Sequence, residues 1–537
     1  MINTKNKNTN RKQIFLSALL AIIYTFAHVL GEDINTYNHI LFYNSETYVK
    51  IITSSILFFI IIYSLFKLLL NRTNGTPVSI KSYQLKKIHW ILLYSFLNIV
   101  GLIVLYGVYP GFACYDFNEQ INQVQTGVYT AHHPLLHTLF MGKIITTIGE
   151  ASGSYNFGGF CYCFLQMLII TSCFIWVLKN LYEMGMSTKS VIISTAFYGL
   201  LPTNIMFLLC TTKDSLFTAF FVCNLIYLKK SIAIGNENTE TIGSDMIGFI
   251  ITGILAGLLR NNMIYAYMAA IPFIIIIFRK KSIKICSAFI GIILAVFMIN
   301  VALIQILSAD NISTAEMLSV PAQQLARTVS EKGEDFLEPE ELESLYNFID
   351  KVGIDAYDGK IADPVKQEIK SNSASAVDFV KLWIKVGLKA PLIYIEATIE
   401  NTFEAWYPNA LIDGYCGVVG RYTTPTCYFS CDVEAPLFAD NNIPAITSFF
   451  WNVSRNGLFQ DMLLVKYLFS IGAYMWLLLF AFAYAILTKR YHNVVMLGLI
   501  ILFCVTNLLG PIVLVRYYLI LFWAAPVIWH SLFERCK

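Results

Sequence analysis

Long apolar runs dominate the sequence, and most of them are long enough to cross a lipid bilayer as a helix. About twelve runs can be marked along the chain, most of them within the span length of about 17 to 25 residues. They lie near 13–31, 48–70, 88–109, 157–178, 190–210, 214–229, 246–260, 263–278, 285–307, 464–487, 493–510 and 513–530. The runs 214–229, 246–260 and 263–278 are short and could be half-buried helices that line a cavity. Because 56% of the 537 residues are hydrophobic and 14% are charged, the chain exceeds the apolar content of a soluble protein. The pattern predicts an all-α polytopic membrane protein in a lipid bilayer.

The orientation follows from lysine and arginine, which are retained on the cytoplasmic side of short connections. With a cytoplasmic amino terminus, most of these cations fall inside, including Arg72, Lys229, Lys489 and Arg490. The short outer connections then hold few cations, namely Lys50, Lys143, Lys213, Arg260, Lys466 and Arg516. Both termini are therefore predicted to be cytoplasmic.

This topology divides the chain into three regions. Residues 1–307 form a transmembrane region of about nine helices with a first outer loop at 110–156, and residues 463–537 form another of about three helices. Residues 308–462 form a large, mainly helical extracytoplasmic loop. An acidic run at 331–343 in this loop is interpreted as a solvated helix face, and Pro339 suits a helix start. The segment Trp383–Phe403 is interpreted as a helix along the membrane surface, broken by Pro391.

Three further compositional features bear on binding partners and disulfide bonds. No basic stripe interleaved with aromatic residues occurs on a soluble segment, so nucleic-acid binding has no support. Of twelve cysteines, Cys416, Cys427 and Cys431 lie in a polar loop placed outside, where a disulfide could form. The net charge of +3 says little about partners, since it sums opposed regions.

The first outer loop carries the first candidates for chemistry. Asp116 follows a spanning helix directly, and Glu119 lies one turn later if the segment is helical. A carboxylate at this place can take a proton from a hydroxyl acceptor or hold a divalent metal. The alternative is an aspartate that caps a helix.

The same loop contains three histidines, His132, His133 and His137. His133 and His137 have i, i+4 spacing, and Pro134 fits the first helical turn, so both rings are expected on one face. Such a pair can bind a metal or phosphate or donate a proton. Because the sequence fixes no third ligand, chance spacing at a helix start is the alternative.

Three cations stand at predicted outer ends of helices. Lys213 precedes Asp214 in a tight turn, Arg260 precedes Asn261 and Asn262 in another, and Arg516 precedes Tyr517 near the last helix. Ionisable groups at membrane depth are costly and usually face a cavity or a partner, and an anion suits these cations. The structural alternative pairs Lys213 or Arg260 with Asp214.

These motifs resemble polytopic GT-C-type glycosyltransferases. More closely, four segments look like an uncharacterised family of Gram-positive bacterial membrane proteins with a domain of unknown function: Tyr109–His137, Ser319–Arg327, Ala362–Lys366 and Trp406–Pro408. The resemblance covers roughly residues 90 to 520.

The GT-C resemblance implies transfer of a sugar from a polyprenyl-phosphate donor to a cell-envelope acceptor at the outer face of the plasma membrane. By position, Asp116 would be the acceptor-activating base, and Lys213, Arg260 and Arg516 would hold the lipid phosphate. Fixed positive charge suits a departing phosphate. Several GT-C families carry two adjacent acids where this chain has Asp116 alone, so a divalent metal is an open expectation.

Two other functions fit the same features. An envelope-precursor transporter or flippase is one, although no repeated halves are visible and a large outer loop is unusual for that class. An envelope polysaccharide polymerase or ligase is the other, and the sequence separates it poorly from a transferase.

Overall fold

The computed structural model describes residues 2–41, 44–74, 84–114, 116–234, 243–311, 314–370, 376–410, 414–415, 421–422, 442–455, 458–459 and 462–534. In these residues the chain is helical apart from one antiparallel pair of two-residue strands, Gly414–Tyr415 and Arg421–Tyr422. The α-helices are Ile2–Tyr37, Ser45–Asn74, Lys87–Gly107, Asp116–Thr126, Leu135–Ser152, Tyr155–Glu183, Thr188–Leu200, Pro202–Leu208, Lys213–Ile234, Ser244–Leu259, Met263–Phe278, Ile283–Leu307, Thr314–Lys332, Pro339–Phe348, Lys351–Asp355, Asp363–Gln367, Ala376–Lys389, Pro391–Thr402, Pro444–Arg455, Ile471–Leu487, Tyr491–Asn507, Val515–Trp523 and Ala525–Phe533. Short 3₁₀ helices cover Arg279–Ser282, Glu334–Phe336, Phe403–Ala405 and Val465–Leu468. Cys416, Cys427 and Cys431 lie outside the described residues.

Several of these helices identify a membrane protein. Six in the described part of the chain are long and apolar enough to cross a bilayer: Asn10–Tyr37, Ser45–Arg72, Lys87–Gly107, Tyr155–Glu183, Lys213–Ile232 and Ile283–Leu307. Four apolar helices are shorter: Ser244–Leu259, Met263–Phe278, Ile471–Leu487 and Tyr491–Asn507. The membrane class predicted from the apolar runs is thus confirmed.

Two predicted spans are broken in the structure. The run 190–210 forms the helices Thr188–Leu200 and Pro202–Leu208, which are bent by 65° at Leu201. Proline lacks a backbone N–H and cannot continue a helix from the preceding turn, so Pro202 begins a new helix. The run 513–530 likewise forms two nine-residue helices, Val515–Trp523 and Ala525–Phe533. The prediction of single continuous helices over these two runs is therefore wrong.

The helix Lys213–Ile234 occupies the interior of the bundle. It packs against Tyr155–Glu183, Ser244–Leu259, Tyr491–Asn507 and Val515–Trp523. Of its most apolar window 83% is buried, compared with 11% for Ser45–Arg72 and for Ile283–Leu307. Its first residue, Lys213, is therefore held by packing on several sides, and ionisable groups at that end lie inside the protein.

A helical module, defined here as residues 314–402, has a hydrophobic core of its own. Leu325, Ala326, Leu345, Phe348 and Phe379 are among its buried apolar residues. Its helix Pro339–Phe348 begins at the proline that marked a helix start in the sequence. The segment Trp383–Phe403 is divided at Ala390 between Ala376–Lys389 and Pro391–Thr402, as Pro391 predicted.

The acidic run 331–343 is not wholly solvated, contrary to its interpretation from the sequence. Glu341 is buried and forms ion pairs with Lys385 at 3.0 Å and Lys389 at 2.7 Å. Charged groups rarely become buried unless they are paired, so these lysines account for its position.

The helical module contacts the turn that precedes Val515–Trp523. The Ala362 backbone N–H donates to the Pro511 carbonyl at 2.8 Å, and Asn401 Nδ2 donates to the Gly510 carbonyl at 3.1 Å. Ile361 and Ile512 also form a backbone bridge. The module therefore helps to fix the position of Arg516, which lies in the first turn of the following helix.

Candidate functional site

A backbone pairing brings Asp116 to the start of the interior helix. Phe112 forms a parallel bridge with Cys210: its N–H donates to the Leu209 carbonyl at 3.2 Å, and its carbonyl accepts from Thr211 N–H at 3.0 Å. The Cys114 N–H then donates to Thr211 Oγ1 at 3.1 Å. Because this pairing joins the segments before Asp116 and before Lys213, the two side chains meet although they are far apart in sequence.

Asp116 is a buried carboxylate held by two cations. Its Oδ2 accepts from Arg516 Nη1 at 2.7 Å and from Lys213 Nζ at 3.2 Å. Burial raises the pKa of the Asp116 carboxyl, but attraction to Arg516 and Lys213 outweighs burial and holds that pKa well below its usual value. Asp116 is therefore ionised at neutral pH. It is the first residue of the helix Asp116–Thr126, so the segment is helical and Glu119 lies about one turn later, as expected.

A second buried acid, Asp214, is paired with Arg260. The structural alternative foreseen for Arg260 is thus present, whereas Lys213 pairs with Asp116 and not with Asp214. Arg516 Nε lies 3.9 Å from Asp214 Oδ2, so one guanidinium links both acids. The group of Asp116, Lys213, Asp214, Arg260 and Arg516, here called the charge cluster, contains three basic and two acidic side chains.

Polar side chains from the helix Tyr491–Asn507 complete the Arg260 side of the charge cluster. Arg260 Nη2 donates to Asn507 Oδ1 at 3.2 Å, and Asn262 Nδ2 donates to the same oxygen at 2.7 Å. Asn507 was not among the residues singled out from the sequence. The signal that could have found it is the polar pair Thr506-Asn507 at the end of an apolar run.

Tyr517 lies against both guanidinium groups. Its ring centroid is 4.6 Å from the Arg260 guanidinium carbon and 4.9 Å from that of Arg516. Its hydroxyl accepts from Arg516 Nη2 at 3.1 Å. Cations are attracted to the face of an aromatic ring, so Tyr517 helps to keep two like charges close together.

His133 connects the charge cluster to Glu119. His133 Nε2 lies 3.1 Å from Glu119 Oε2, and Nδ1 lies 3.5 Å from Lys213 Nζ and 3.9 Å from Asp116 Oδ2. The hydrogen bond with His133 lowers the pKa of Glu119. Burial lowers the pKa of His133, although the bond to Glu119 opposes it.

His137 does not share a face with His133, so that prediction is wrong. The helix begins at Leu135, after His133, and i, i+4 geometry therefore does not apply to the two residues. His137 is buried, with Nδ1 2.7 Å from Gln120 Oε1 and Nε2 2.9 Å from the Tyr162 hydroxyl. Both ring nitrogens of His137 thus have protein partners, so we assign this side chain a structural role.

His132 and Asn261 are the remaining residues predicted from the sequence. His132 packs its ring against that of His133, with the centroids 4.5 Å apart. Asn261 contributes its backbone carbonyl, which accepts from Ile264 N–H at 3.3 Å, to the start of the following helix. Among described residues, Glu119, His132 and His133 place one possible metal-ligand atom each within 4.8 Å of the others.

The buried Cys114 thiol gives a labelling test of this geometry. Its Sγ lies 3.2 Å from Arg516 Nη1. Burial raises the pKa of the Cys114 thiol to about 11, although Arg516 lowers it. Since the thiolate is the nucleophile, we expect Cys114 to resist alkylation near neutral pH in the folded protein and to react after denaturation. Peptide mass spectrometry after alkylation measures this, with the denatured protein as control; native labelling of Cys114 to the same extent as in the denatured protein would contradict the buried site.

Comparisons with known proteins give one match. No curated protein and no solved structure matches the chain. The model of a family of unknown function, DUF6020, matches residues 123–528. The matched residues include His133, Lys213, Arg260 and Arg516 and begin after Asp116. Because the match covers well over half of the chain, the protein belongs to DUF6020, the family of unknown function.

Proposed function

We propose that the protein is a GT-C-like glycosyltransferase that moves a sugar from a polyprenyl-phosphate donor to a cell-envelope acceptor. The observation that carries this is the excess of basic over acidic side chains in the charge cluster, beside the carboxylate of Asp116. Three cations share two carboxylates in the charge cluster, and net positive charge at a largely buried site favours the binding of an anion. A lipid phosphate supplies negative charge at membrane depth.

The proposed reaction is a displacement with inversion. An acceptor hydroxyl oxygen bonds to the anomeric carbon, the bond from that carbon to the phosphate oxygen breaks, and the phosphate leaves with the electron pair. Asp116 takes the hydroxyl proton. Lys213 and Arg516 stabilise the negative charge that develops on the leaving phosphate.

The same cations explain how Asp116 could act as a base. In the structure they hold its pKa low, and a carboxylate in that state is a weak base. A donor phosphate shares Lys213 and Arg516 with Asp116 and brings a like charge close to it. Both effects raise the affinity of the carboxylate for a proton. Donor binding is therefore proposed to prepare Asp116 for the acceptor.

Contacts at the opposite end of the bundle support cytoplasmic termini. Lys229 Nζ lies 2.8 Å from Glu534 Oε2, Arg490 Nη1 donates to the Ser531 carbonyl at 3.0 Å, and Arg72 lies over the Phe533 ring. These three cations were assigned to the cytoplasmic side from the sequence. They gather near the carboxyl terminus, while Lys213 begins the helix that ends beyond Lys229.

The helical module supports an extracytoplasmic site. It contacts Gly510 and Pro511, just before Arg516, and so belongs to the charge-cluster end of the bundle.

We propose about twelve crossings of a bacterial plasma membrane. This number counts the bent pair 188–208 as one crossing and the pair 515–533 as another. Residues 308–462 then face outward.

A transporter for the same lipid is the second candidate, favoured by the broken pair Thr188–Leu200 and Pro202–Leu208. Discontinuous helices often form transport sites. A polymerase or ligase uses the same charge cluster with a longer donor.

Product analysis in proteoliposomes separates these functions. A labelled polyprenyl-phosphate sugar and a cell-envelope acceptor fraction are supplied, and products are identified by mass spectrometry. The transferase is expected to yield an acceptor with one added sugar. The Arg516→Gln variant is expected to form no such product. The Lys143→Gln variant, which changes an exposed lysine, is expected to form it as the wild type does. Movement of label without a covalent product would favour the transporter, and a transferred chain would favour the polymerase or ligase.

A further inference from the structure

We propose that Glu119, His132 and His133 form a binding site for one divalent transition-metal ion, of the zinc or manganese class, next to the charge cluster. The inference does not depend on the proposed sugar transfer. Its basis is the convergence of one carboxylate oxygen and two imidazole nitrogens, all within 4.8 Å of one another. Within this group, His133 Nε2 and Glu119 Oε2 are 3.1 Å apart.

Local hydrogen bonds hold the two parts of this site together. Glu119 lies in the first turn of Asp116–Thr126, and the histidines lie in the loop that returns from that helix. Gln123 Oε1 accepts from Thr130 N–H at 3.2 Å, and Thr130 Oγ1 accepts from His132 N–H at 3.4 Å. The loop is therefore fixed against the helix, with its histidines beside Glu119.

The donor set selects the class of ion. Two imidazoles and one carboxylate suit zinc, manganese or ferrous iron, whereas magnesium and calcium prefer oxygen ligands. Bonds of about 2.0 to 2.2 Å from zinc to nitrogen and oxygen require the ligand atoms to move closer together than 4.8 Å. Glu119 and His132 are exposed and can rotate inward, while His133 is buried and fixed.

Three protein ligands leave at least one coordination position for water or a substrate oxygen.

The second nitrogen of His133 gives the ion a link to the charge cluster. Coordination through Nε2 leaves the proton on Nδ1, which lies 3.9 Å from Asp116 Oδ2. A ligating histidine commonly directs its other N–H at a carboxylate, and Asp116 is the carboxylate on this side, although 3.9 Å is longer than a hydrogen bond. Lys213 Nζ is 3.5 Å from the same nitrogen, so with Nδ1 protonated its ammonium protons are directed at Asp116 instead.

Metal binding tests the site without any sugar donor. The purified full chain is stripped with a chelator, and Zn²⁺ alone is titrated in competition with a chromogenic chelator. We expect one equivalent to bind, and His132→Ala and Glu119→Gln each to weaken binding by about tenfold or more. The matched control is His39→Ala, which removes an exposed histidine elsewhere in the described residues and is expected to leave the affinity unchanged.

The outcomes are decisive for the metal site alone. Wild-type affinity in both His132→Ala and Glu119→Gln, or no stoichiometric Zn²⁺ binding by the wild-type chain, would overturn it. Weakening by His39→Ala to the same extent would mean surface binding and would also overturn it. None of these results depends on sugar transfer, so failure of the metal site and failure of the transferase proposal are distinguishable.

Discussion

Replacement of Asp116 by Asn is expected to lower sugar transfer by about 10²- to 10⁴-fold, the range of a general base. The amide has nearly the same shape as the carboxylate and can still accept from Arg516, but it cannot take the acceptor proton. The initial rate at saturating donor measures the effect. Binding of the donor is expected to persist, because Lys213 and Arg516 remain and no longer have a carboxylate as competitor.

Two controls separate the loss of a base from loss of folding. Asp310→Asn changes an exposed carboxyl whose backbone pairs with the same loop, at Tyr129 and Ala131, and is expected to retain full activity. Donor binding by Asp116→Asn shows directly whether its site is intact. Full transfer by a well-folded Asp116→Asn protein would exclude the base role.

Replacement of Arg327 by Met is expected to destabilise the helical module by about 3 to 5 kcal/mol, the cost of breaking a buried ion pair. Arg327 is 1% exposed. Its guanidinium contacts three carboxylates, Glu331 at 2.8 Å, Glu396 at 3.2 Å, and Glu400. Methionine preserves much of the packing volume, so the loss reports mainly the unpaired acids that remain.

The free energy of unfolding of the module is measured by denaturant titration, with Trp383 fluorescence as a local probe. The Trp383 Nε1–H donates to Gln324 Oε1 at 2.7 Å, which places the probe beside the helix that carries Arg327. Lys351→Met, which removes an exposed partner of Glu334, is the matched control and is expected to change stability little. Equal stability of Arg327→Met and the wild type would contradict a structural role for this arginine.

The sequence was most informative about helices and about ionisable residues at helix ends. Apolar length predicted the membrane class, and Pro339 and Pro391 marked helix starts that the structure contains. The bend at Leu201 was missed because hydropathy averages over a run and does not register the backbone N–H that Pro202 lacks.

The contacts within the charge cluster could not be derived from spacing. Asp116 is 97 positions from Lys213 and 400 from Arg516. Local periodicity relates only residues within a few turns of one another. The sequence therefore indicated the three residues as candidates but not the contacts between them. The pairing of His133 with His137 failed for the converse reason, since i, i+4 spacing has meaning only if both residues lie within one helix. The helix begins two residues after His133.

Binding of a polyprenyl phosphate is the most direct test of the anion-binding role of the charge cluster. Native mass spectrometry of the purified chain compares this lipid with the uncharged polyprenol for the wild type and for Lys213→Met/Arg516→Gln. We predict that the wild type prefers the phosphate and that the double variant binds it about 100-fold more weakly, since each charge-assisted hydrogen bond contributes about 1.5 kcal/mol or more. Equal binding of the two lipids by the wild type, or undiminished binding of the polyprenyl phosphate by the double variant, would contradict the anion-binding role of the charge cluster.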